Sequence, residues 1–497
     1  MAGCTAALVP TYPAPTARIV IHTPTAPAPD IGITLAVPPT PTLSVLSAEG
    51  CPPSAAAPIH YSVEAAVDLP HHLVSGTLIA RFVNRAAAPL STLLMRVPLN
   101  NTKGVFTLTA LRTEPESASY GLNGVRLEII LREALRPGCA ATVTLAFRVV
   151  ISPIPEGAAG GYGYFGYTDR QTNLGDWLPA FAAYHAGAWL FPKDWTLGET
   201  AVADAASYNV RVAVNHATSP ARLEVAGPGD ATREDATTWT FALEHSRNFA
   251  ISISDSFIKE TALTPEGVAV DLYHYALPGS TAPAHALATA RDALATFTTR
   301  FGPAPYKRLA VVQGDFPDGM EFTGIVFVST RWFTMFWEGK PDTWLTVITA
   351  HEVAHQWWYS AVGNDQSRTP YLDESFAIYS EVVYLEAHYP DLVGWWWKWR
   401  VEQYKPSGYV DATVYEFTQA RLYINAVYLR GAQMLQEIRG VLGDEAFFGW
   451  LRDYAAQETD RIATPAALWG LLSQGDYVRT GAIRAKYLAV ADPLAKL

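Results

Sequence analysis

Alternating apolar and polar residues mark the first half of the chain as β-structure. The segments 60–68 and 75–83 alternate with a period of two between turn residues, as half-buried strands do. Similar runs follow at 105–112, 124–131, 140–151, 207–214 and 238–243. Several short strands at this spacing predict an antiparallel sandwich or saddle. We therefore expect residues 56–258 to form an N-terminal β domain.

Beyond residue 258 the pattern changes to a few apolar strands followed by helices. The predicted elements are strand 268–275, helix 283–301, strands 308–313 and 324–329, and helices 342–359 and 373–388. Asp342 would cap the helix 342–359, and Pro390 would stop the helix 373–388. Helical patterns dominate the rest of the chain. We expect residues 259–497 to form an α+β, mainly helical, second domain.

One segment of this second domain carries a metal-site pattern. His351 and His355 are four residues apart on a predicted helix, so their rings lie on one face and can converge on one zinc ion. Glu374, on the next helix, would be the third ligand and would leave a position for water. Glu352 could then take a proton from that water. The alternative, two histidines in a plain core helix, would leave their polar groups uncompensated.

Further segments extend this pattern into a resemblance to a known family. Residues 319–322, Gly-Met-Glu-Phe, resemble the Gly-x-Met-Glu-Asn motif of the gluzincin aminopeptidases, typified by aminopeptidase N and leukotriene A hydrolase. Residues 428–431, Tyr-Leu-Arg-Gly, resemble the catalytic tyrosine segment of that family. The resemblance covers about 60–490. It implies a thermolysin-like zinc catalytic domain behind the β domain, with one zinc ion per chain.

The resemblance implies that the first of these segments binds substrate. Glu321 would hold the free α-amino group of a peptide through a charge-assisted hydrogen bond. Gly319 and Met320 would belong to the same substrate site. Phe322 departs from the motif, which has asparagine there, and we expect this to alter amine recognition.

The resemblance also implies roles near the zinc site. Tyr428 would donate its hydroxyl to the oxyanion formed when water attacks the carbonyl. Tyr423, five residues earlier, is assigned to substrate binding, with core packing as an equal alternative. Glu381, two turns after Glu374, would orient a ligand histidine. Its alternative role is to pair with a nearby cation.

These assignments favour a zinc aminopeptidase that releases N-terminal residues from peptides. A thermolysin-type zinc endopeptidase would share the metal site, but Glu321 and Tyr428 favour the exopeptidase. A non-catalytic surface binding protein is a third interpretation, from another class. Glu352 argues against it, because a binder needs no base beside a zinc ion.

Composition excludes other classes of partner. The 497 residues are 49% hydrophobic and 17% charged, and the net charge of -11 argues against nucleic-acid binding. No apolar run reaches the length of a membrane-spanning helix. Peptides are therefore the expected substrates, and the oligomeric state stays open.

The N-terminal segment and the cysteines bear on location. Residues 1–55 form a predicted tether, since 8–45 hold nine prolines and seven threonines. Cys4 follows Ala-Gly, as at the end of a bacterial lipoprotein signal, so lipid attachment is one interpretation and chance the other. Cys51 and Cys139 would pair in an exported protein, with two unpaired thiols as the alternative. We expect a cell-surface lipoprotein or other extracytoplasmic protein, with the cytoplasm as the alternative.

Overall fold

A computed structural model describes residues 59–154, 164–216 and 222–494. The predicted tether 1–55, with Cys4 and Cys51, lies outside them. Within these ranges no helix is both long and apolar enough to cross a membrane. Cys139 is buried and disulfide-bonded, and its partner lies outside the described residues.

The first half is built from short strands whose buried faces share one core. The strands are β1 (Ile59–Asp68), β2 (Leu73–Val83), β3 (Leu90–Arg96), β4 (Phe106–Glu114), β5 (Ser117–Asn123), β6 (Arg126–Leu135), β7 (Ala140–Val150), β8 (Phe165–Tyr167), β9 (Thr172–Leu174), β10 (Ala180–Phe181), β11 (Ala183–His185), β12 (Ala188–Leu190), β13 (Ala206–Asn215), β14 (Glu224–Ala226), β15 (Asp230–Arg233), β16 (Thr238–Ser246) and β17 (Ile251–Ser254). Residues such as Leu78, Leu127 and Val143 alternate with polar neighbours and are fully buried between the sheets. Burial of this apolar area stabilises the half at about 25 cal/mol per Å².

These strands form a seven-stranded sheet of order β15-β16-β13-β1-β2-β7-β4, two four-stranded sheets, β10-β3-β6-β5 and β14-β17-β9-β8, and a two-stranded sheet, β11-β12. The predicted strands are confirmed, with ends shifted by a few residues. The sheet is not wholly antiparallel, because β13 runs parallel to β1. The chain makes a long excursion through other strands before β13, which allows a parallel partner that a hairpin cannot supply.

The second half combines one mixed sheet with packed helices. Its strands are β18 (Ile258–Leu263), β19 (Ala269–His274), β20 (Arg308–Gly314), β21 (Gly319–Phe322), β22 (Ile325–Ser329), β23 (Gly363–Asn364) and β24 (Ile462–Ala463). Its α-helices are α1 (Ala282–Phe301), α2 (Thr330–Thr334), α3 (Trp344–Ala354), α4 (Tyr371–His388), α5 (Val393–Trp396), α6 (Ala420–Tyr423), α7 (Arg430–Leu442), α8 (Asp444–Glu458), α9 (Pro465–Trp469), α10 (Gln474–Arg479) and α11 (Gly481–Tyr487). Two π-helical turns interrupt the helices at Trp397–Val401 and Ile424–Leu429. The sheet order is β18-β19-β20-β22-β21, with β21 at the edge. The domain boundary expected between 258 and 259 stays a prediction.

The helix carrying the two histidines is shorter than predicted. It begins after Thr343, so Asp342 is not its cap, and it ends at Ala354 instead of near Tyr359. The chain then turns tightly, with the amide of Ser360 donating to the carbonyl of His355 at 3.0 Å. Tyr359 has a φ of 136°, which no helix contains. The apolar residues 357–359 mimic a helical pattern because they are buried on both sides of this turn.

Arg247 links the β half to the helical half. Its side chain lies between β16 and the turn after α3 and is only 4% exposed. The guanidinium donates to the carbonyls of Ser360 (3.1 Å), Ala361 (2.9 Å), Arg461 (2.9 Å) and Ala203 (3.0 Å). Burial lowers the pKa of Arg247, so these acceptors must offset the cost of a buried charge. The contact fixes the loop before β13 against the turn that follows the zinc-site helix.

Candidate active site

Helices α3 and α4 bring three metal-ligand side chains together. Nε2 of His351 lies 3.4 Å from Oε2 of Glu374, and Nε2 of His355 lies 3.6 Å from the same oxygen. The ligand atoms of all three lie within 4.8 Å of one another, and all three residues are buried. Ligands that surround one zinc ion tetrahedrally at ~2.1 Å are ~3.4 Å apart, so the spacing fits.

The donor chemistry of this cluster also fits zinc. Glu374 Oε2 is buried with no hydrogen-bond partner among the described residues. Burial opposes its charge, but the contact with His351 and the charge of His355 outweigh burial and lower the pKa of Glu374. A buried carboxylate oxygen and two imidazole nitrogens aimed at one point would be a costly arrangement without a cation. We conclude that these residues would hold the zinc ion.

A buried ion pair orients His351. Its Nδ1 lies 3.0 Å from Oε1 of Glu381 on α4, so the other ring nitrogen faces the cluster. Arg400 binds both oxygens of Glu381 at 3.0 Å, and the indole of Trp396 donates to one of them at 2.8 Å. Glu381 thus does both things expected of it: it contacts the ligand His351, and it pairs with a cation, Arg400. Burial opposes its charge, but Arg400 outweighs burial and lowers the pKa of Glu381.

His355 is oriented by its own turn and by α4. Its Nδ1 donates to the carbonyl of Trp358 at 2.9 Å and lies 2.7 Å from Oδ1 of Asp373. Gln366 donates to the other oxygen of Asp373 at 2.9 Å. Each ligand histidine thus has a fixed tautomer, with Nε2 left as the ligand atom.

Glu352 lies beside the cluster and against Gly319. A Cβ built on Gly319 would be 2.0 Å from Oε1 of Glu352, so only glycine allows strand β21 to approach this closely. Oε2 of Glu352 is buried and has no hydrogen-bond partner among the described residues. Burial raises the pKa of Glu352 to about 7, against the opposing charges of His351 and His355. A carboxylate with this pKa can exchange a proton near neutral pH.

Glu321 faces the same cluster from the edge strand. Its atoms lie within 4.8 Å of ligand atoms of Glu352 and His355, and also of Glu199 and Glu374. Burial raises the pKa of Glu321 well above its usual range, with added repulsion from Glu199. Oε1 of Glu321 has no hydrogen-bond partner within the described ranges. The zinc ligands therefore lie next to a pair of carboxyl groups, Glu321 and Glu199, that would gain from a cation between them.

Phe322 does not reach this wall. It is fully buried and packs with Phe327 at a ring-centroid distance of 5.9 Å and an angle of 81°. Its carbonyl accepts from Gln356 Nε2 at 3.2 Å, and Gln356 also accepts from the amide of Gly324 at 2.9 Å. The substitution of the motif asparagine thus serves the core, and the backbone at this position ties β21 to the turn after α3. Met320 is half-buried beside the same core.

The π-helical turn Ile424–Leu429 places both candidate tyrosines. The ring of Tyr428 lies parallel to that of His351, with centroids 6.2 Å apart and an angle of 5°. Tyr428 hydrogen-bonds Glu374 and so helps to lower its pKa. Tyr423 is buried, packs edge-on against Tyr428 at 5.6 Å, and leaves its hydroxyl without a partner among the described residues. Such turns occur often at functional sites because they re-aim side chains within a helix.

Two residues of the site, Glu199 and Asp373, were not predicted from the sequence. Glu199 belongs to a loop between β12 and β13, where Gly198 has a φ of 65° and a Cβ would be 2.8 Å from the Tyr423 hydroxyl. Burial and the charge of Glu374 raise the pKa of Glu199 to about 8. Asp373 directly precedes a predicted ligand, and the first turn of α4 places it beside His355. Its adjacency to Glu374 was the only available clue.

The fold and the site define a class: a two-part chain whose helical part carries a gluzincin-type zinc site. Residues 286–486 match the model of the peptidase family M1 domain. Residues 286–486 are therefore similar to the peptidase family M1 domain, and they contain all three ligands of the zinc site. This family implies a catalytic zinc ion, which the donor set of the site fits.

Solved structures share this architecture. The fold is similar to that of an M1 zinc metallopeptidase from Deinococcus radiodurans, with a TM-score of 0.62, 20% identity, and coverage of 85% of this chain and 92% of the other. It is also similar to a two-domain M1 zinc metallopeptidase mutant bound to L-arginine, with a TM-score of 0.65, 20% identity, and coverage of 87% and 95%. At this identity the likeness establishes the fold alone.

Curated relatives match over shorter segments. Endoplasmic reticulum aminopeptidase 2 from Bos taurus is 28% identical over 185 residues, which are 34% of this chain and 19% of the relative. The Homo sapiens protein of the same name is 26% identical over 230 residues, which are 43% and 24%. The matched region thus spans less than a quarter of the length of these relatives.

Proposed function

We propose that this chain is a zinc aminopeptidase, which hydrolyses the first peptide bond of substrates with a free N-terminus. The observation that carries the proposal is the pair of carboxyl groups of Glu321 and Glu199, whose oxygens lie within 4.8 Å of an oxygen of the zinc ligand Glu374. An α-ammonium group held there would place the first peptide carbonyl over the metal centre. The backbone of an internal peptide segment has no ammonium group to offer these carboxylates.

The catalytic steps follow from the residues around the scissile bond. A zinc ion held by His351, His355 and Glu374 would supply a Lewis acid that polarises the carbonyl and acidifies water. Glu352 accepts the proton of the attacking water, and its pKa of about 7 allows the same carboxyl to return that proton to the leaving amine. The absence of a side chain at Gly319 leaves space for the Glu352 carboxylate, which would have to reach both the attacking water and the leaving nitrogen.

Tyr428 completes the site on the side of the developing negative charge. Burial and the nearby Glu374 raise the pKa of Tyr428 well above its usual range, so its hydroxyl stays protonated and can donate. A donor aimed at charge that appears only during reaction lowers the barrier more than it strengthens substrate binding. Tyr423 supports the ring of Tyr428 edge-on and borders the loop of Glu199.

A comparison of matched peptides tests the proposal. A free-amine peptide and its N-acetylated form are incubated with the protein, with and without a chelator. We expect cleavage of the free-amine peptide only, one residue at a time, and loss of cleavage with chelator that zinc restores. Equal cleavage of both peptides would favour a thermolysin-type endopeptidase. Zinc-dependent binding of peptide without any cleavage would favour a binding protein.

We also propose that the chain works outside the cytoplasm, where lipid attachment at Cys4 would tether it to a membrane. The disulfide at Cys139 supports an oxidising compartment. Thiol titration of the denatured protein tests this: we expect one reactive thiol without reductant and three with it. Three thiols under both conditions would contradict the proposal. Mass spectrometry of the natural protein would show whether Cys4 carries lipid.

A further inference from the structure

An aspartate occupies a position beside the catalytic base where the family motif has glycine. Counted back from Met320 and Glu321, the leading glycine of Gly-x-Met-Glu-Asn falls on Asp318. Asp318 has a φ of 74°, which lies in the left-handed region that favours glycine. A non-glycine residue there is strained, and such strain clusters at functional sites. The chain thus keeps the backbone of the motif and adds a carboxylate to it.

Three hydrogen bonds fix the turn that carries Asp318. The hydroxyl of Tyr164 contacts the carbonyls of Pro317 (2.7 Å) and Gly319 (2.6 Å), on either side of it. The amide of Ser329 donates to the carbonyl of Asp318 at 2.8 Å. Because the turn is held from both flanks, the backbone of Asp318 is fixed beside the next residue, Gly319, whose α-carbon adjoins Glu352.

The Asp318 carboxylate is exposed and is not committed to another side chain. No hydrogen bond or ion pair of its carboxylate is found within the described ranges. The cations whose charges reach it are engaged elsewhere. Arg400 binds Glu381 through two contacts of 3.0 Å, and the guanidinium of Arg331 lies 5.1 Å over the ring of Trp332.

Asp318 and Glu321 lie on either side of the residues Gly319 and Met320. They are three residues apart at an extended strand, so their α-carbons are ~10 Å apart, with the Glu352 carboxylate next to the residue between them. The charges acting on Glu321 come from His355, Glu199, Glu374 and Asp373. Those acting on Asp318 come from a separate set, Arg400, His351, Glu381 and Arg331.

We propose that Asp318 selects substrates with lysine or arginine in the second position, on the leaving-group side of the cleaved bond. This inference rests on the proposed function, which sets the N-terminus at Glu321. A peptide anchored there crosses the metal centre and Glu352 and then passes Asp318 with its second residue. An ammonium or guanidinium group of that residue would meet an otherwise unpartnered carboxylate, whereas a carboxylate side chain would be repelled.

Tripeptides Ala-X-Ala, with X as lysine, norleucine or glutamate, test the proposal. Norleucine has the length of the lysine stem without the charge. We expect kcat/KM for lysine to exceed that for norleucine by roughly fivefold, with glutamate the poorest substrate, and the lysine preference to shrink as salt is added. In Asp318→Asn and Asp318→Gly the ratio of lysine to norleucine should fall to about one. The control Asp391→Asn removes an exposed carboxylate beyond the far end of α4 and should keep the wild-type ratio.

A second measurement separates failure of this inference from failure of the proposed function. Binding of Ala-Lys-Ala and Ala-norleucine-Ala is measured by calorimetry on zinc-loaded Glu352→Gln and on the same variant with Asp318→Asn. Tighter binding of the lysine peptide that disappears with Asp318→Asn supports the inference even if the wild type hydrolyses no peptide. Equal binding of both peptides, or a lysine preference that survives both substitutions at 318, would overturn it.

Discussion

The two ends of the cleft are built on opposite electrostatic principles. At the metal end every ligand histidine has a partner: His351 has Glu381 behind it, and His355 has Asp373 and the carbonyl of Trp358. At the substrate end Glu321 has an oxygen without a hydrogen bond among the described residues, and it repels Glu199. The ligand histidines are held by protein partners, and the carboxyl groups of the substrate end are left for a ligand.

The zinc ligands must be fixed by the folded protein, whereas the carboxyl groups that bind substrate gain their partner only when the substrate arrives. A metal centre needs fixed ligand directions, so its partners come from the protein. A binding site for an ammonium group gains most if its carboxylates are poorly compensated before the ligand arrives. Their raised pKa values show this cost, because burial and mutual repulsion favour protonation until a cation enters. Substitutions at the two ends should therefore have different kinetic signatures.

The largest effect should come from the base between the two ends. Glu352→Gln keeps the size of the side chain but removes the proton acceptor. We expect kcat to fall on the order of 10³-fold while zinc content, measured by mass spectrometry of the metal, stays at one per chain. A variant that retains substantial hydrolysis would show that another group is the base. Loss of zinc in this variant would instead place Glu352 at the metal end.

Neutralising the substrate end should raise KM for peptides with a free amine. For Glu321→Gln we expect kcat/KM to fall about 100-fold, since a buried charge-assisted contact is lost, and for Glu199→Gln about tenfold because Glu199 is half-buried. Steady-state kinetics with a peptide series checks both. Zinc affinity should change little in either variant. A fall in zinc affinity matching the fall in kcat/KM would mean that the two ends are not distinct.

Weakening the support at the metal end should appear first as lost zinc affinity. Glu381→Gln keeps an oxygen that can accept from His351 but removes the negative charge that contacts both His351 and Arg400. We expect zinc to bind 10- to 100-fold more weakly in competition with a chelator, and activity to return at high zinc. The control is Glu402→Gln, which changes an exposed glutamate two residues after Arg400. An unchanged zinc affinity would leave Glu381 as a structural ion-pair partner only.

The smallest effect is a pH dependence of stability that zinc should suppress. Burial raises the pKa of Glu352 to about 7 and that of Glu199 to about 8, so the folded metal-free protein binds more protons than the unfolded chain above about pH 4.5. The stability is therefore full at pH 4.5 and is lost as pH rises through 7 to 8. The melting temperature of the metal-free protein should fall over this window, and zinc should reduce the slope. A slope of the opposite sign would contradict the electrostatic contrast.

The sequence was most informative where spacing alone determines geometry. The pair His351 and His355, with Glu374 on the next helix, could be predicted because helical periodicity places the histidines on one face. The alternation of the N-terminal strands gave the β half for a similar reason. The early end of α3 was missed, because buried aromatic residues in a tight turn have the same hydrophobic pattern as a helix.

Contacts between distant segments could not be predicted in this way. Glu199 reaches the site only because Gly198 adopts a positive φ and packs against Tyr423, more than 200 residues later in the chain. The role of Phe322 in the core depended on which side of β21 faces the β half. The strain at Asp318 likewise requires the backbone angle, since aspartate before glycine is common in ordinary turns.

The hydrogen bonds that Arg247 donates to the helical half limit how the chain can be divided into fragments. A fragment that began at residue 259 would contain the whole predicted catalytic domain, including the zinc ligands. It would nevertheless lose the guanidinium that binds the carbonyls of Ser360, Ala361 and Arg461, and the loop that carries Glu199. Three carbonyl acceptors, two of them in buried hydrogen bonds, would be left without their donor beside the zinc-site helix. We therefore expect that the helical half cannot be separated from the β half, because the β half supplies both the Arg247 side chain and Glu199 beside the zinc ligands.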